Sequence, residues 1–315
     1  MDIQILLALQ NFREATGGCL NEFLAFITNI AINYWVIVPA LIMFWVVDKK
    51  KGQIMLFSMG LARYMNAVLK AIFCVYRPWI RSDKIQPLPE VIGQATGYSF
   101  PSGHATSASA FYGSLIMIYK KYKGLCIFFA AMILLTMFSR PYVGVHTPQD
   151  VLVGAATGLF AAFVVCKVLA WVDTNPDKDW VVLLVVTLLT AAALTFISLK
   201  QYPIDYVNGE ILVDPKKMTV DGFKDPGVFF GITLGWFIER RFIKFSTDGT
   251  KEQKFLRATV GSLLYVFLFT TVVLPLGKHL EIGLANFVLQ ALLIVLFMTV
   301  YPLAFTKLAS RHLTK

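Results

Sequence analysis

Long, uninterrupted apolar stretches recur along this chain of 315 residues and limit its possible folds more than any other feature. Several reach the roughly 20 residues that an α-helix needs to cross the hydrocarbon core of a bilayer. Only 15% of the residues are charged, whereas a soluble domain has roughly 25%. A backbone in lipid has to satisfy its own hydrogen bonds, and segments of this length do so as helices. We therefore expect an all-α integral membrane protein.

The apolar runs predict about nine transmembrane helices. The predicted spans are residues 23–47, 54–76, 103–119, 124–139, 148–172, 180–199, 226–243, 255–276 and 283–306. The stretch before them, "IQILLALQNF", has an amphipathic pattern, and we expect it to lie along the membrane surface.

Lysines and arginines lie mainly between the predicted spans, and the net charge is +10. In this setting we expect them to contact anionic lipid headgroups, with no nucleic-acid partner. With nine spans, the lysine-rich loops "DKKKG" and "KKYKG" share one side of the membrane with the C-terminus. The positive-inside rule makes that side cytoplasmic and places the N-terminus outside.

A first polar cluster, "KAIFCVYRP", closes the second predicted span at residues 70–78. Lys70 and Arg77 are seven residues apart, so they share one face if the helix continues that far. We expect Pro78 to end the helix. A lysine inside a membrane helix costs roughly 2.5–3.5 kcal/mol at the bilayer centre, which favours a functional role. A lysine that merely extends its amine to the interface explains this cluster equally well when it is taken alone.

A second cluster, "YSFPSGHATS", opens the third predicted span. Ser102 is predicted to cap the helix, and Gly103 lets a ligand approach the backbone closely. The exposed N–H groups of such a helix start bind anions. A capped turn without any ligand explains Ser102 and Gly103, but it gives no reason for His104 in the first turn.

The third cluster is "SRPYVGVHTPQD", residues 139–150, between the fourth and fifth predicted spans. Thr147 and Pro148 predict the start of a helix there. His146 and Asp150 are four residues apart, so the carboxylate can reach one imidazole nitrogen and leave the other free to attack. A capping aspartate beside a surface histidine is the simpler alternative.

The predicted topology places all three clusters on the same outer surface. Together they supply two histidines, a helix start that can bind an anion, and the cations Lys70, Arg77 and Arg140. Phosphoryl transfer without a metal needs positive charge around the equatorial oxygens, a nucleophile and a proton donor for the leaving oxygen. We expect no metal site and no cofactor, because no carboxylate-rich cluster accompanies the histidines.

The motifs K-x6-RP at 70–78, PSGH at 101–104 and SR-x5-H-x3-D at 139–150 resemble those of the type 2 phosphatidic acid phosphatase superfamily. All three match in order and without substitution. The resemblance covers roughly residues 20–200 and implies a six-helix phosphatase core. On this basis, residues 1–22 form an N-terminal interfacial segment and 23–200 the core. Residues 201–315 form an outer loop and three additional helices.

The resemblance also implies a role for each motif residue. His146 would be the nucleophile that forms a phosphohistidine, oriented by Asp150, and His104 would be the general acid and then the base for water. The groups that would hold the phosphoryl oxygens are Lys70, Arg77, Arg140, Ser102 and the N–H of Gly103. Pro78, Pro101 and Ser139 also belong to the motifs, and we expect Ser139 to hydrogen-bond the phosphate or a neighbouring side chain.

The sequence thus predicts an integral-membrane phosphatase that hydrolyses a lipid phosphate or diphosphate at the outer face of a bacterial inner membrane. Relatives of this kind act on undecaprenyl diphosphate, phosphatidylglycerol phosphate or phosphatidic acid. A lipid phosphotransferase or a sugar-phosphate phosphatase would use the same motifs. An anion transporter would explain the cations but neither histidine. Substrate and membrane lipids are the expected partners, and the sequence indicates no oligomeric state.

Overall fold

The computed structural model describes residues 2–30, 36–93, 95, 97–207 and 209–313, and this part of the chain is predominantly helical. The helices are Asp2–Ala15 (α1), Asn21–Ile30 (α2), Ile37–Ile42 (α3), Lys49–Phe73 (α4), Pro78–Arg81 (α5), Pro89–Ile92 (α6), Gly103–Ile118 (α7), Lys123–Tyr142 (α8), Pro148–Thr174 (α9), Asp179–Leu199 (α10), Pro215–Gly222 (α11), Lys224–Ile238 (α12), Lys251–Leu268 (α13), Leu274–Leu280 (α14), Gly283–Val295 (α15) and Tyr301–Leu313 (α16).

Shorter elements complete the chain trace. Single π-helical segments, Met43–Val47, Glu239–Ile243, Phe269–Val273 and Leu296–Val300, follow α3, α12, α13 and α15, and Pro176–Lys178 is a 3-10 turn. The strands β1 (Tyr206–Val207) and β2 (Glu210–Ile211) pair antiparallel in a small hairpin.

Five helical stretches of the described chain are long and apolar enough to cross a membrane. They are Lys123–Tyr142, Pro148–Thr174, Pro176–Leu199, Lys251–Leu280 and Gly283–Lys307. The predicted class, a helical integral membrane protein, is therefore confirmed, whereas the count of nine spans is not. Two of the other predicted spans do not meet this description. Helix α7 contains only 16 residues, and the helix formed by α12 and the π-helical segment after it carries Glu239, Arg240 and Arg241. Residues 31–35 of the first predicted span lie outside the described residues.

The second predicted span differs from the observed helix at both ends. Helix α4 begins at Lys49, so the lysines of "DKKKG" form its first turn instead of a loop. It ends at Phe73, and the next residue, Cys74, has a positive φ of 48°. The prediction that Pro78 ends this helix was therefore wrong. Pro78 instead begins the short helix α5, where its fixed φ suits the first position.

The chain forms two compact units, each assembled from separate stretches. The first comprises Met1–Asn33, Leu61–Val164 and Leu199–Met218, and the second comprises Tyr34–Gly60, Val165–Ser198 and Thr219–Lys315. Every site residue predicted from the sequence belongs to the first unit.

Glycines allow close helix packing in the second unit. Helices α12 and α15 approach so closely that a Cβ at Gly231 would lie 2.7 Å from the carbonyl oxygen of Ala291. Lys49 and the buried Glu239 also form an ion pair, with 2.7 Å between Nζ and Oε1.

In the first unit, glycines of α9 let the backbone of α7 lie directly against it. A Cβ at Gly154 would lie 2.6 Å from the carbonyl oxygen of Ser102, and a Cβ at Gly158 would lie 2.4 Å from that of Thr106. Neither position has room for a methyl group, because backbone atoms cannot move aside as a flexible side chain does. This packing holds the N-terminal end of α7 beside the first turns of α9.

Replacing Gly158 by Ala should destabilise the fold, because the new methyl group would force α7 and α9 apart. Overpacking of this kind costs about 1–3 kcal/mol. We expect the thermal midpoint of the detergent-solubilised protein to fall by several degrees. Gly124→Ala is the matched control, because a Cβ at Gly124 meets nothing within 4 Å in the described structure. Equal midpoints for both variants would contradict this account of the packing.

Candidate active site

The loop between α8 and α9 carries His146, and local hydrogen bonds define where it ends. The Thr147 N–H donates to Asp150 Oδ2 at 2.8 Å, and the Asp150 N–H donates to Thr147 Oγ1 at 3.3 Å. This reciprocal cap starts α9 at Pro148, as the sequence pattern predicts. It also fixes the Asp150 carboxylate close to the backbone of the His146 loop.

His146 is held from its Nδ1 side by a buried polar pair. Its Nδ1 lies 3.4 Å from Asp150 Oδ2 and 3.3 Å from Ser99 Oγ, and the Ser99 hydroxyl donates to the same carboxylate oxygen at 2.6 Å. All three side chains are buried. The His146–Asp150 contact is the one that their spacing predicts, but Ser99 was not among the predicted site residues.

The other imidazole nitrogen faces a cation. Arg77 Nη1 lies 2.9 Å from His146 Nε2 and also donates to the carbonyl oxygen of Val145 at 3.1 Å. Arg77 Nε donates to the carbonyl oxygen of Gly97 at 3.0 Å. Arg77 lies beyond the end of α4, so a turn of the chain brings it to the site, and helical spacing from Lys70 does not. The imidazole nitrogen expected to attack therefore accepts a hydrogen bond from Arg77.

These contacts define the protonation state of His146. An arginine side chain only donates, so Nε2 has to accept and Nδ1 carries the proton of the neutral ring. Burial lowers the pKa of His146 well below its ordinary value, and the charges of Arg77, Arg140 and Lys70 lower it further. A neutral ring with Nδ1–H turned towards a carboxylate is the nucleophilic tautomer.

The PSGH segment lies against the same aspartate. The N–H of Ser102 donates to the backbone carbonyl oxygen of Asp150 at 2.9 Å, and its hydroxyl caps α7, as predicted. Gly103 begins that helix. Apart from its chain neighbours and the backbone of its own helix, only Asn66 Oδ1 among the described residues would lie within 4 Å of a Cβ there, at 3.7 Å. Asn66 Nδ2 in turn donates to the carbonyl oxygen of the buried Pro101 at 3.2 Å.

Two buried side chains keep donor groups without partners. Arg140 is completely buried, yet its Nε and Nη2 find no acceptor in the described part of the chain. The Nε2 of buried His104 is likewise unpaired within those ranges. Native proteins pair nearly all buried polar groups, so such orphans need an explanation. A phosphoryl oxygen would satisfy them.

Two hydroxyl groups orient Arg140. Its Nη1 donates to Thr28 Oγ1 at 3.3 Å, and Thr28 Oγ1 lies 2.6 Å from Ser139 Oγ. The Ser139 hydroxyl also donates to the carbonyl oxygen of Thr136 at 2.8 Å. Ser139 therefore contacts the residue that holds Arg140, which matches one of the two contacts expected for it. No sequence pattern indicated that Thr28 would contact a site residue.

Lys70 is anchored on the segment that carries Ser99. Its Nζ donates to the carbonyl oxygens of Tyr98 at 2.8 Å and Ser99 at 3.4 Å. The structure thus joins Lys70, Arg77, His146 and Asp150 in one continuous polar network. It places His104 and Arg140 in the same unit as buried, incompletely paired groups.

Two family models match the chain. The PAP2 superfamily model matches residues 51–175, and the model for the transmembrane extension of PAP2 superfamily phosphatases matches residues 223–312. Phosphatidylglycerophosphatase B of Bacillus subtilis is 30% identical to the chain over 158 residues, which are 46% of this chain and 73% of that protein. The chain belongs to the PAP2 superfamily.

Other named proteins are similar to this PAP2 chain. The undecaprenyl-diphosphatase of Sulfolobus acidocaldarius is 29% identical over 174 residues, 55% of this chain and 80% of that protein. The lipid A 4'-phosphatase of Porphyromonas gingivalis is 30% identical over 145 residues, 42% of this chain and 60% of that protein. Membership of this family makes the chain a hydrolase, a membrane-embedded lipid phosphatase.

An oxyanion should stabilise the folded protein by pairing with the orphaned donors of Arg140 and His104. Inorganic phosphate or vanadate at about one hundred times its Kd should add about 2.7 kcal/mol to the free energy of unfolding. We expect a thermal midpoint that rises with oxyanion concentration at constant ionic strength. The rise should disappear in Arg140→Met and persist in Lys123→Met, which removes an exposed cation from the same helix. Equal rises in both variants would place the anion elsewhere.

Proposed function

We propose that this PAP2 chain hydrolyses a lipid phosphate or diphosphate without a metal ion, through a phosphohistidine on His146. The unpaired, buried donors of Arg140 and His104 carry this proposal, because an oxyanion would satisfy them and the charge of Arg140 acts on the His146 imidazole. The family supplies the reaction class. The resemblance of the motifs implies the role of each group, and the contacts of the described residues support these roles.

In the first step, His146 Nε2 attacks phosphorus while Asp150 accepts the hydrogen bond from Nδ1–H. The N–P bond forms as the bond from phosphorus to the leaving oxygen breaks. Arg77 now donates to Nε2 and would turn from the imidazole to a phosphoryl oxygen as the nitrogen attacks. His104, in its protonated imidazolium form, gives one proton to the leaving oxygen and becomes neutral, and the leaving group departs as a lipid alcohol or a lipid monophosphate.

In the second step, water attacks the phosphohistidine. His104, which has lost its proton, accepts one from the water, and the N–P bond breaks to release phosphate and neutral His146. Asp150 stabilises the positive ring present while the phosphoryl group is attached. The buried position of all three side chains strengthens these electrostatic interactions, because little water screens them.

Positive charge for the equatorial oxygens comes from several parts of the chain. We assign Arg77 and Arg140 to direct contact, with Lys70 contributing charge from its anchor on the Tyr98 and Ser99 carbonyls. The N–H of Gly103 lies at the start of α7, where the helix dipole favours an anion. Donors fixed in place before the reaction stabilise the transition state without further reorganisation.

The lipid substrate follows from the setting and the relatives. The helices are those of an integral membrane protein, and the named relatives act on undecaprenyl diphosphate, phosphatidylglycerophosphate and lipid A. We propose a substrate among undecaprenyl diphosphate, phosphatidylglycerol phosphate and phosphatidic acid. The lysine-rich segments support a site at the extracytoplasmic face of a bacterial inner membrane, with the C-terminus in the cytoplasm.

Purified protein should release phosphate from one or more of these lipids in the presence of EDTA, and His146→Ala should reduce the rate to background. The expected loss is on the order of 10⁴-fold or more, because the residue that forms the covalent bond is missing. Phosphate release is the measurement. His279→Ala, an exposed histidine of the second unit, should remain as active as the wild type.

Strict dependence on a divalent ion, or residual turnover in His146→Ala near the wild-type rate, would refute this mechanism. The same assay distinguishes the two membrane faces. Sealed right-side-out vesicles should hydrolyse an added short-chain lipid phosphate directly, whereas inverted vesicles should require permeabilisation.

The acid limb of kcat/KM should lie well below pH 6.5, because burial and nearby cations depress the pKa of His146. The nucleophile is active when deprotonated, so a lower pKa moves the loss of activity to lower pH. Arg77→Met removes one of these cations and should shift the limb to higher pH, with Arg77→Lys as the charge-retaining control. At each pH, the kcat/KM of the variant is divided by that of the wild type on the same substrate. The ionisation of the substrate affects both values equally and does not change this ratio. An unchanged limb in Arg77→Met would contradict the assignment to His146.

A further inference from the structure

The N-terminal helix α1 lies outside the region that the PAP2 superfamily model matches, yet it contacts loops of the site. Arg13, near its C-terminal end, is buried. Its Nη1 donates to the carbonyl oxygen of Tyr142 at 3.2 Å, and its Nη2 donates to that of Gln86 at 2.7 Å. One guanidinium therefore bridges the end of α8 and the loop that follows α5.

The loop that follows α5 also packs directly against the loop that follows α8. The N–H of Leu88 donates to the carbonyl oxygen of Val143 at 3.1 Å. Gly144 has a φ of 82°, and a Cβ there would lie 3.0 Å from the Cα of Pro87. Glycine is therefore required at this position both for its backbone conformation and for the close approach.

The bridged loop leads directly to the proposed nucleophile. Tyr142, whose carbonyl Arg13 binds, is four residues before His146, and the intervening Val145 carbonyl accepts from Arg77. A displacement of residues 142–145 would therefore change the Arg77–His146 contact. Misplacement by about 1 Å can reduce a rate by about two orders of magnitude.

Further contacts make α1 a rigid support. Asp2 forms an ion pair with Arg81 at 2.9 Å, and Gln10 Oε1 accepts from the N–H of Gln86 at 2.9 Å. Ile5 and Phe12, on the flank of the helix beside its buried face, expose 43% and 47% of their surface, as expected for a helix that lies along the membrane surface.

We propose that Arg13 is a positioning residue for the phosphatase reaction. It holds the 142–145 loop so that His146 and Arg77 face the same phosphoryl group. The proposal deepens the function proposed above and depends on His146 being the nucleophile. Both acceptors of Arg13 are neutral carbonyl groups. The guanidinium therefore fixes the positions of the two backbone segments and does not neutralise a charge.

Arg13→Ala should lower kcat for phosphate release by about 10- to 100-fold, because the loop loses its bridge. KM should change by less than about threefold, since uniform substrate binding is retained. The acid limb of kcat/KM should move to higher pH as the Arg77–His146 contact loosens. Arg13→Lys can reach one carbonyl and should recover part of kcat. Glu14→Ala, at the exposed neighbouring position, should match the wild type.

A wild-type kcat in Arg13→Ala, or an equal loss in Glu14→Ala, would overturn the proposal. If Arg13→Ala does not fold, Arg13→Lys decides: an intermediate kcat with the shifted acid limb supports the proposal, and wild-type kinetics reject it. Activity of His146→Ala is measured alongside. Turnover in that variant would reject the proposed function, whereas an inactive His146→Ala with a fully active Arg13→Ala would reject only the role of Arg13.

Discussion

The site depends most on the hydrogen bonds that the Asp150 carboxylate accepts. One oxygen, Oδ2, receives hydrogen bonds from the Ser99 hydroxyl and the Thr147 N–H and lies beside His146 Nδ1. The backbone carbonyl of the same residue accepts from Ser102. A single residue thus starts α9, holds the PSGH segment and orients the imidazole. Loss of this side chain would leave several buried donors unpaired at once.

The same site concentrates buried positive charge, which is unfavourable without an anion. Arg140 is completely buried and keeps two donor atoms unpaired within the described chain, and burial lowers the pKa of Arg77 to about 10. Burying cations in this way costs stability unless an opposite charge accompanies them. In the proposed mechanism, a phosphoryl group would supply that charge, and its pairing with these cations would contribute to substrate binding. Such local costs are typical of functional sites.

Close packing within the first unit is what makes this geometry possible. Gly154 and Gly158 bring α9 against the backbone of α7, and Gly144 brings the His146 loop against the loop at Pro87. Arg13 then ties that loop to a helix outside the family domain. Arg77 and His146 lie on loops, and these contacts hold the His146 loop against neighbouring elements. In the proposed mechanism, this arrangement would preorganise both groups for the substrate.

Local patterns were enough to predict the helical membrane class, the PAP2 family and the start of α9 at Pro148, because each depends on residues close together in sequence. The end of α4 at Phe73 was missed, since its hydrophobic pattern continues past the residue where the backbone turns. Ser99, Thr28 and Arg13 gained their roles only in the tertiary structure. The Arg13–Tyr142 bond spans 129 residues and ends on a backbone carbonyl. Every residue carries such a carbonyl, so only packing determines which one is used.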